Sequence, residues 1–158
     1  MSLLPLGLAF ALGFIAGLRS MTPPALVAWA TAFGWLALDA TPLAFLETGA
    51  ARYVLGAFMI GELIADKLPF TPSRTRAGPF AARIASGALA GAALLAGSDA
   101  SLLQGAIAGA LGAVAGTLGG YQARTGLVRR FRLPDLAVAL AEDIVAVGGA
   151  LLVLSAPR

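Results

Sequence analysis

Four acidic side chains, Glu62, Asp66, Glu142 and Asp143, lie inside runs of residues that otherwise read as lipid-buried helices. A carboxylate in hydrocarbon costs about 2.5 to 3.5 kcal/mol on insertion scales, so each of the four calls for a partner, a proton or water. Glu62 stands seven residues before Pro69 and Glu142 eight after Pro134. If both prolines mark the same membrane boundary, the two carboxylates reach a similar depth, about 10 to 12 Å inward, on antiparallel helices. Asp66 lies one turn from Glu62 on the same face. Arg19, Lys67 and Arg83 fall within about a turn of that boundary, where long side chains can reach inward to acids or outward to phosphates. Asp143 points about 100° around its helix from Glu142.

The chemistry open to such a set is narrow. It can hold a small ion or solute, exchange a proton or cation as the bundle changes shape, or lock helix register as buried ion pairs. The run Pro69-Phe-Thr-Pro-Ser-Arg-Thr-Arg76 adds Arg74 and Arg76 to Arg83 as candidate contacts for an anion or lipid headgroup, or serves as a stiff basic connector. There is no Cys and no His, which removes disulfides, thiolate metal sites, imidazole ligands and the commonest general base. No cofactor is implied, and no metal is named by the residues.

These side chains must be positioned by a membrane bundle. The 158 residues are 59% hydrophobic and 12% charged, too little polar surface for a soluble domain. Six apolar segments are expected: about Leu3 to Leu18, Pro24 to Leu38, Ala51 to Leu68, Pro79 to Ala96, Leu102 to Tyr121 and Pro134 to Leu154. The second is short and is expected to tilt or to form a re-entrant pair with the first across Arg19-Ser20-Met21-Thr22-Pro23-Pro24. No cleavable signal peptide is expected, because Met-Ser-Leu-Leu-Pro offers no basic n-region. The fold class is therefore all-α integral membrane, one transmembrane domain over 1–158, a compact bundle of about six helices.

Lys67, Arg74, Arg76 and Arg83 flank the third-to-fourth connection, and Arg124, Arg129, Arg130 and Arg132 the fifth-to-sixth. Both connections are expected in the cytoplasm, with the Arg19 turn, while Asp39, Glu47 and Asp99 fall on the other side and both termini are non-cytoplasmic. The net charge of +3 then serves orientation and anionic lipid, so nucleic acid is not an expected partner. Two three-helix halves of opposite orientation are one arrangement of six spans. Gly13 with Gly17, Gly87 with Gly91, and the series Gly105, Gly109, Gly112, Gly116 and Gly120, which includes four-residue spacings, are expected to let helices pack closely or to form a homodimer face. Trp29 and Trp35 read as interfacial or packing aromatics.

Gly17-Leu-Arg-Ser-Met-Thr-Pro23, Glu62-Leu-Ile-Ala-Asp-Lys-Leu-Pro69 followed by Thr71-Pro-Ser-Arg74, and Ala141-Glu-Asp-Ile-Val-Ala-Val147 together resemble an uncharacterised family of small bacterial polytopic membrane proteins, a domain of unknown function designated 4126. The resemblance covers nearly the whole chain and coincides with the polar positions above. It implies a polytopic membrane domain of unsettled activity and supplies no substrate; the expected location is a bacterial inner membrane. The function expected from the residues is a small transporter or channel-like permease, with Glu62, Asp66, Glu142 and Asp143 lining a cytoplasm-accessible cavity and Arg19 and Lys67 balancing charge. Two alternatives stand beside it: an intramembrane enzyme or carrier for a lipid-linked phosphate, with carboxylates holding Mg²⁺, and an assembly subunit that packs through its glycine faces.

Overall fold

The computed structural model describes residues 3–67, 75–97 and 101–156. Among them are six α-helices and one 3₁₀ turn: α1 (Leu3–Leu18), α2 (Thr22–Ala32), the turn Ala44–Glu47, α3 (Gly49–Ala65), α4 (Ala77–Ala96), α5 (Leu102–Phe131) and α6 (Asp135–Ser155). Three of them, α4, α5 and α6, are long and apolar enough to cross a membrane, and α1 is a shorter apolar helix. Many buried helical positions are Gly or Ala, beside buried leucines such as Leu12, Leu94 and Leu154, and many large apolar residues face outward. On α3 no residue is fully buried, while Tyr53, Val54, Phe58, Ile60 and Ile64 are exposed. Ile144 and Leu152 on α6 are exposed in the same way. This inverts the pattern of a water-soluble bundle and suits lipid as the surrounding solvent.

The centre is made by α1, α4 and α5, which touch through glycine. Gly13 lies against Gly109, Gly87 against Gly109 and Gly13, Gly91 against Gly105, and Gly17 against Ala113 and Thr117. Gly112 and Gly116 meet the backbone at Phe10 and Phe14. Absent side chains bring backbones together, and dispersion takes over the role that hydrophobic expulsion plays in water. The pairings also fix direction: α1 and α5 ascend together, and α4 runs against both.

Contacts elsewhere continue the alternation. Trp29 of α2 meets Tyr53 of α3 edge to face at 6.1 Å, while Ser20, just before α2, meets Glu62 near the end of α3. Asp143 and Gly149 of α6 meet Arg19 and Ile15 respectively, so α6 runs against α1. Gly97 at the end of α4 abuts Leu36 and Ala37, which shows that the chain after α2 has reached the end of the bundle opposite Arg19.

Two elements differ from the sequence expectation. The second segment, expected to stay helical to Leu38, stops at Ala32. Gly34 takes φ +70°, its N–H donates to the Thr31 carbonyl, and the Trp35 N–H donates to the Ala30 carbonyl, the paired bonds of a Schellman stop. Residues 33–38 then continue without helix, with Leu36 and Leu38 buried and the Glu47 carboxylate accepting from the Leu38 N–H. The fifth segment, expected to end at Tyr121, runs on to Phe131. Its 30 residues make a rod of about 45 Å, and Arg124 is a helical residue, not a loop one.

Candidate functional site

The three residues Arg19, Ser20 and Met21 separate α1 from α2, and around this break the charged side chains collect. Both helix ends are buried, so their orphan amides and carbonyls need partners. At the start of α2, Pro23 and Pro24 have no N–H to leave unsatisfied. The amides just ahead of them are taken by Glu62 of α3: Ser20 N–H donates to one oxygen at 2.8 Å, Ser20 Oγ–H to the same oxygen at 2.7 Å, and Met21 N–H to the other at 2.8 Å. An anion at a helix N-terminus is also favoured by the helix dipole. Ser20 is pinned from a third side, since Ser86 of α4 donates its hydroxyl proton to the Ser20 carbonyl.

Arg19 closes the other half of the break. It stands at the C-terminal end of α1, where a cation is favoured, and its side chain is 0% exposed. Its guanidinium is paired with Asp66 of α3 and with Asp143 of α6, the latter at 2.7 Å from Nε, and a further nitrogen lies 3.9 Å from Glu142. One arginine therefore ties α1 to α3 and α6. Lys67 extends the network outward, donating to Asp143 Oδ2 and to the Leu63 carbonyl, both at 2.6 Å.

Two further arginines flank this core. Arg83 of α4, buried, sits 3.8 Å from the Glu62 carboxylate and donates to the Pro79 carbonyl at 3.3 Å. Arg124 of α5 donates twice to Asp135, at 3.0 and 2.7 Å, and its third nitrogen is 3.6 Å from Glu142.

Glu62, Asp66, Glu142, Asp143, Arg19, Lys67 and Arg83 thus meet at one end of the bundle. Among the described residues Glu62 serves the Ser20 and Met21 amides and Arg83, whereas Glu142 lies beside Arg19 and Arg124. Arg76 is exposed and precedes the first turn of α4, away from these contacts, and Arg74 with most of the run 69–76 lies outside the described residues. Sequence reasoning did not single out Ser20, Ser86 or Arg124 as site residues. Ser20 is adjacent to Arg19 in a break flanked by prolines, a signal that was available. Arg124 was hidden by the assumption that α5 ended before it.

Thr22, in the first turn of α2, is fully buried, and its hydroxyl has no hydrogen-bond partner among the described residues. Such a group costs about 1 to 3 kcal/mol when left unsatisfied. Beside the break, α1, α5 and α6 enclose a cavity of about 380 Å³ whose lining is almost entirely apolar, with Arg124 and Glu142 as its charged members. Among the described residues no group of three or more acidic side chains is arranged to hold a metal ion.

No curated protein matches the chain, and no solved structure matches it. A match is found to the family described as Domain of unknown function (DUF4126), over residues 6–158.

Proposed function

The chain belongs to the DUF4126 family, a domain of unknown function, and we propose that it is a small integral-membrane permease whose site for a small ion or solute is the α1–α2 break. The observation that carries this reading is Arg19: a fully buried guanidinium held by carboxylates from two other helices, at the junction of two helix ends. Helix breaks of this kind expose polar backbone within a bundle and are where transporters hold charged cargo. A bound cation would trade places with Arg19 or Lys67 on Asp66, Glu142 and Asp143, and a bound anion would trade with those acids on Arg19. The unpartnered Thr22 hydroxyl, two residues from Ser20, offers the same cargo an additional ligand.

In this reading the six alternating segments are six crossings, arranged as two three-helix halves of inverted orientation. The second crossing is completed by the non-helical run 33–38, because the 11 residues of α2 cover only about 16 Å. The gathering of Lys67, Arg83 and Arg124 at the break end, against Arg52 beside Glu47 at the other, supports a cytoplasmic break and non-cytoplasmic termini in a bacterial inner membrane. Trp29, Phe33 and Trp35 stack near the far end, as interfacial aromatics do. The alternative of metal-dependent chemistry on a lipid-linked phosphate draws no comparable support, since the acids here are engaged by arginine, lysine and backbone amides.

The test is flux in proteoliposomes across a panel of inorganic cations, inorganic anions and small metabolites. Glu62→Gln and Glu142→Gln should each cut the flux of the transported solute at least about tenfold, the effect of about 1.4 kcal/mol lost at the site. Equal flux in wild type and both variants across the whole panel would sink the reading.

A further inference from the structure

The cavity beside the break has a shape and a lining that a hydrophilic cargo does not need. Its floor is Phe14 and Leu18 of α1, and its walls are Leu127 of α5 and Val138 and Val145 of α6. Gly119 and Gly120 on α5 and Ala141 on α6 present almost no side chain, which keeps the groove open. On either side of it the helices show large exposed apolar residues, Leu118 on α5 and Leu140 and Ile144 on α6. The groove is therefore continuous with the surface that lipid would cover.

Its one basic lining residue stands at the cytoplasmic end in the orientation proposed above. Arg124 spends two N–H groups on Asp135, and the Asp135 side chain is 64% exposed. Arg124 itself is only 20% exposed, so water competes for this pair from the carboxylate side. A phosphate diester presents the same two-oxygen face to a guanidinium as a carboxylate does, so it can take the place of Asp135. Arg129 and Arg130, exposed on the following turns of α5, make the same end electropositive.

We propose that this groove holds one acyl chain of an anionic phospholipid, with the lipid phosphate on Arg124. The proposal rests on the membrane placement of the chain and not on the permease reading. Flux lost in Glu62→Gln with lipid retention intact would separate the two.

Native mass spectrometry of the detergent-purified protein supplies the test, with dioleoyl phosphatidylglycerol and dioleoyl phosphatidylcholine offered in equal amounts. Wild type should retain the anionic lipid over the zwitterionic one by about fivefold, the size expected of one arginine–headgroup contact. Arg124→Gln should take up both lipids equally. Ala141→Trp, which fills the groove from α6 and keeps Arg124 in the chain, should retain neither, while Leu152→Trp on the exposed face of the same helix should behave as wild type. Retention without headgroup preference in wild type, unchanged retention in Ala141→Trp, or displacement of the lipid by free glycerol phosphate would each overturn the proposal. The last of these would reassign Arg124 to a soluble anion.

Discussion

Glu62 and Ser20, 42 positions apart, join the α1–α2 break to the helix that flanks it: one carboxylate oxygen receives both the Ser20 amide and the Ser20 hydroxyl, at 2.8 and 2.7 Å. The carboxylate takes up the amides of the N-cap residue Met21 and of Ser20 before it, which the chain turn into α2 leaves without helical partners. It comes from α3: Met21 has no acceptor, and the Ser20 hydroxyl is itself spent as a donor to Glu62.

Glu62→Gln should therefore destabilise the protein even though it removes no volume. The amide keeps one acceptor oxygen for Ser20 but turns an NH₂ toward the Met21 N–H, so donor faces donor. The expected loss is about 1 to 3 kcal/mol, the cost of a buried amide without a partner. Glu62→Ala should lose at least as much. Reversible unfolding by denaturant in detergent measures it, and a Gln variant as stable as wild type would show that the Met21 amide finds another acceptor.

Arg19 gives the second prediction. Removing a guanidinium that is wholly buried leaves Asp66 and Asp143 facing each other across the space it vacated. Arg19→Met should cost about 3 to 5 kcal/mol, the range for breaking a buried pair from one side. Lys67→Met, which removes a cation from the same Asp143 but at a partly exposed position, should cost less than about 1 kcal/mol. Adding Asp143→Asn to each variant completes two double-mutant cycles, and the coupling to Arg19 should be the larger by more than the roughly 0.5 kcal/mol error of such cycles. Equal coupling would mean that water reaches Arg19.

Much of this site was legible in the residues before any coordinates. An acid inside an apolar run must be partnered, and helical spacing alone brought Glu62, Asp66 and Glu142 to one level with Arg19, Lys67 and Arg83. The rotation of each helix about its own axis was not legible, and that rotation decides which acid meets which cation. Spacing put Glu62 and Glu142 at a similar depth, where they could share one site, without saying which groups each would meet. The actual azimuths turn Glu62 to the α2 amides and Glu142 toward Arg124. The helix ends failed for two separate reasons. Phe33 to Leu38 is apolar enough to be helix, and one left-handed glycine overrides it. The run Tyr121-Gln-Ala-Arg-Thr-Gly-Leu-Val-Arg-Arg is polar enough to be loop, yet is mostly ordinary helix formers and stays coiled to Phe131.

The glycines supply the last prediction, because they divide into two populations that sequence alone cannot tell apart. A methyl group added at Gly109 would fall on the Gly87 carbonyl, which is backbone and cannot turn aside. One added at Gly61 or Gly148 would meet nothing within 4 Å. Gly109→Ala should therefore cost at least about 1 to 3 kcal/mol, the range for overpacking, since α4 must move away from α5 along the whole shared face. Gly61→Ala and Gly148→Ala should be neutral or gain up to about 1 kcal/mol, the helix propensity of alanine over glycine. If Gly109→Ala matched the Gly61 and Gly148 variants, α4 and α5 would have to be further apart than their glycines allow. The close three-helix centre that fixes the height of Ser86 and Arg83 beside the break would then be wrong as well. Helix packing and the polar site stand or fall together here, since Ser86 reaches the Ser20 carbonyl only while Gly87 lies against Gly13 and Gly109.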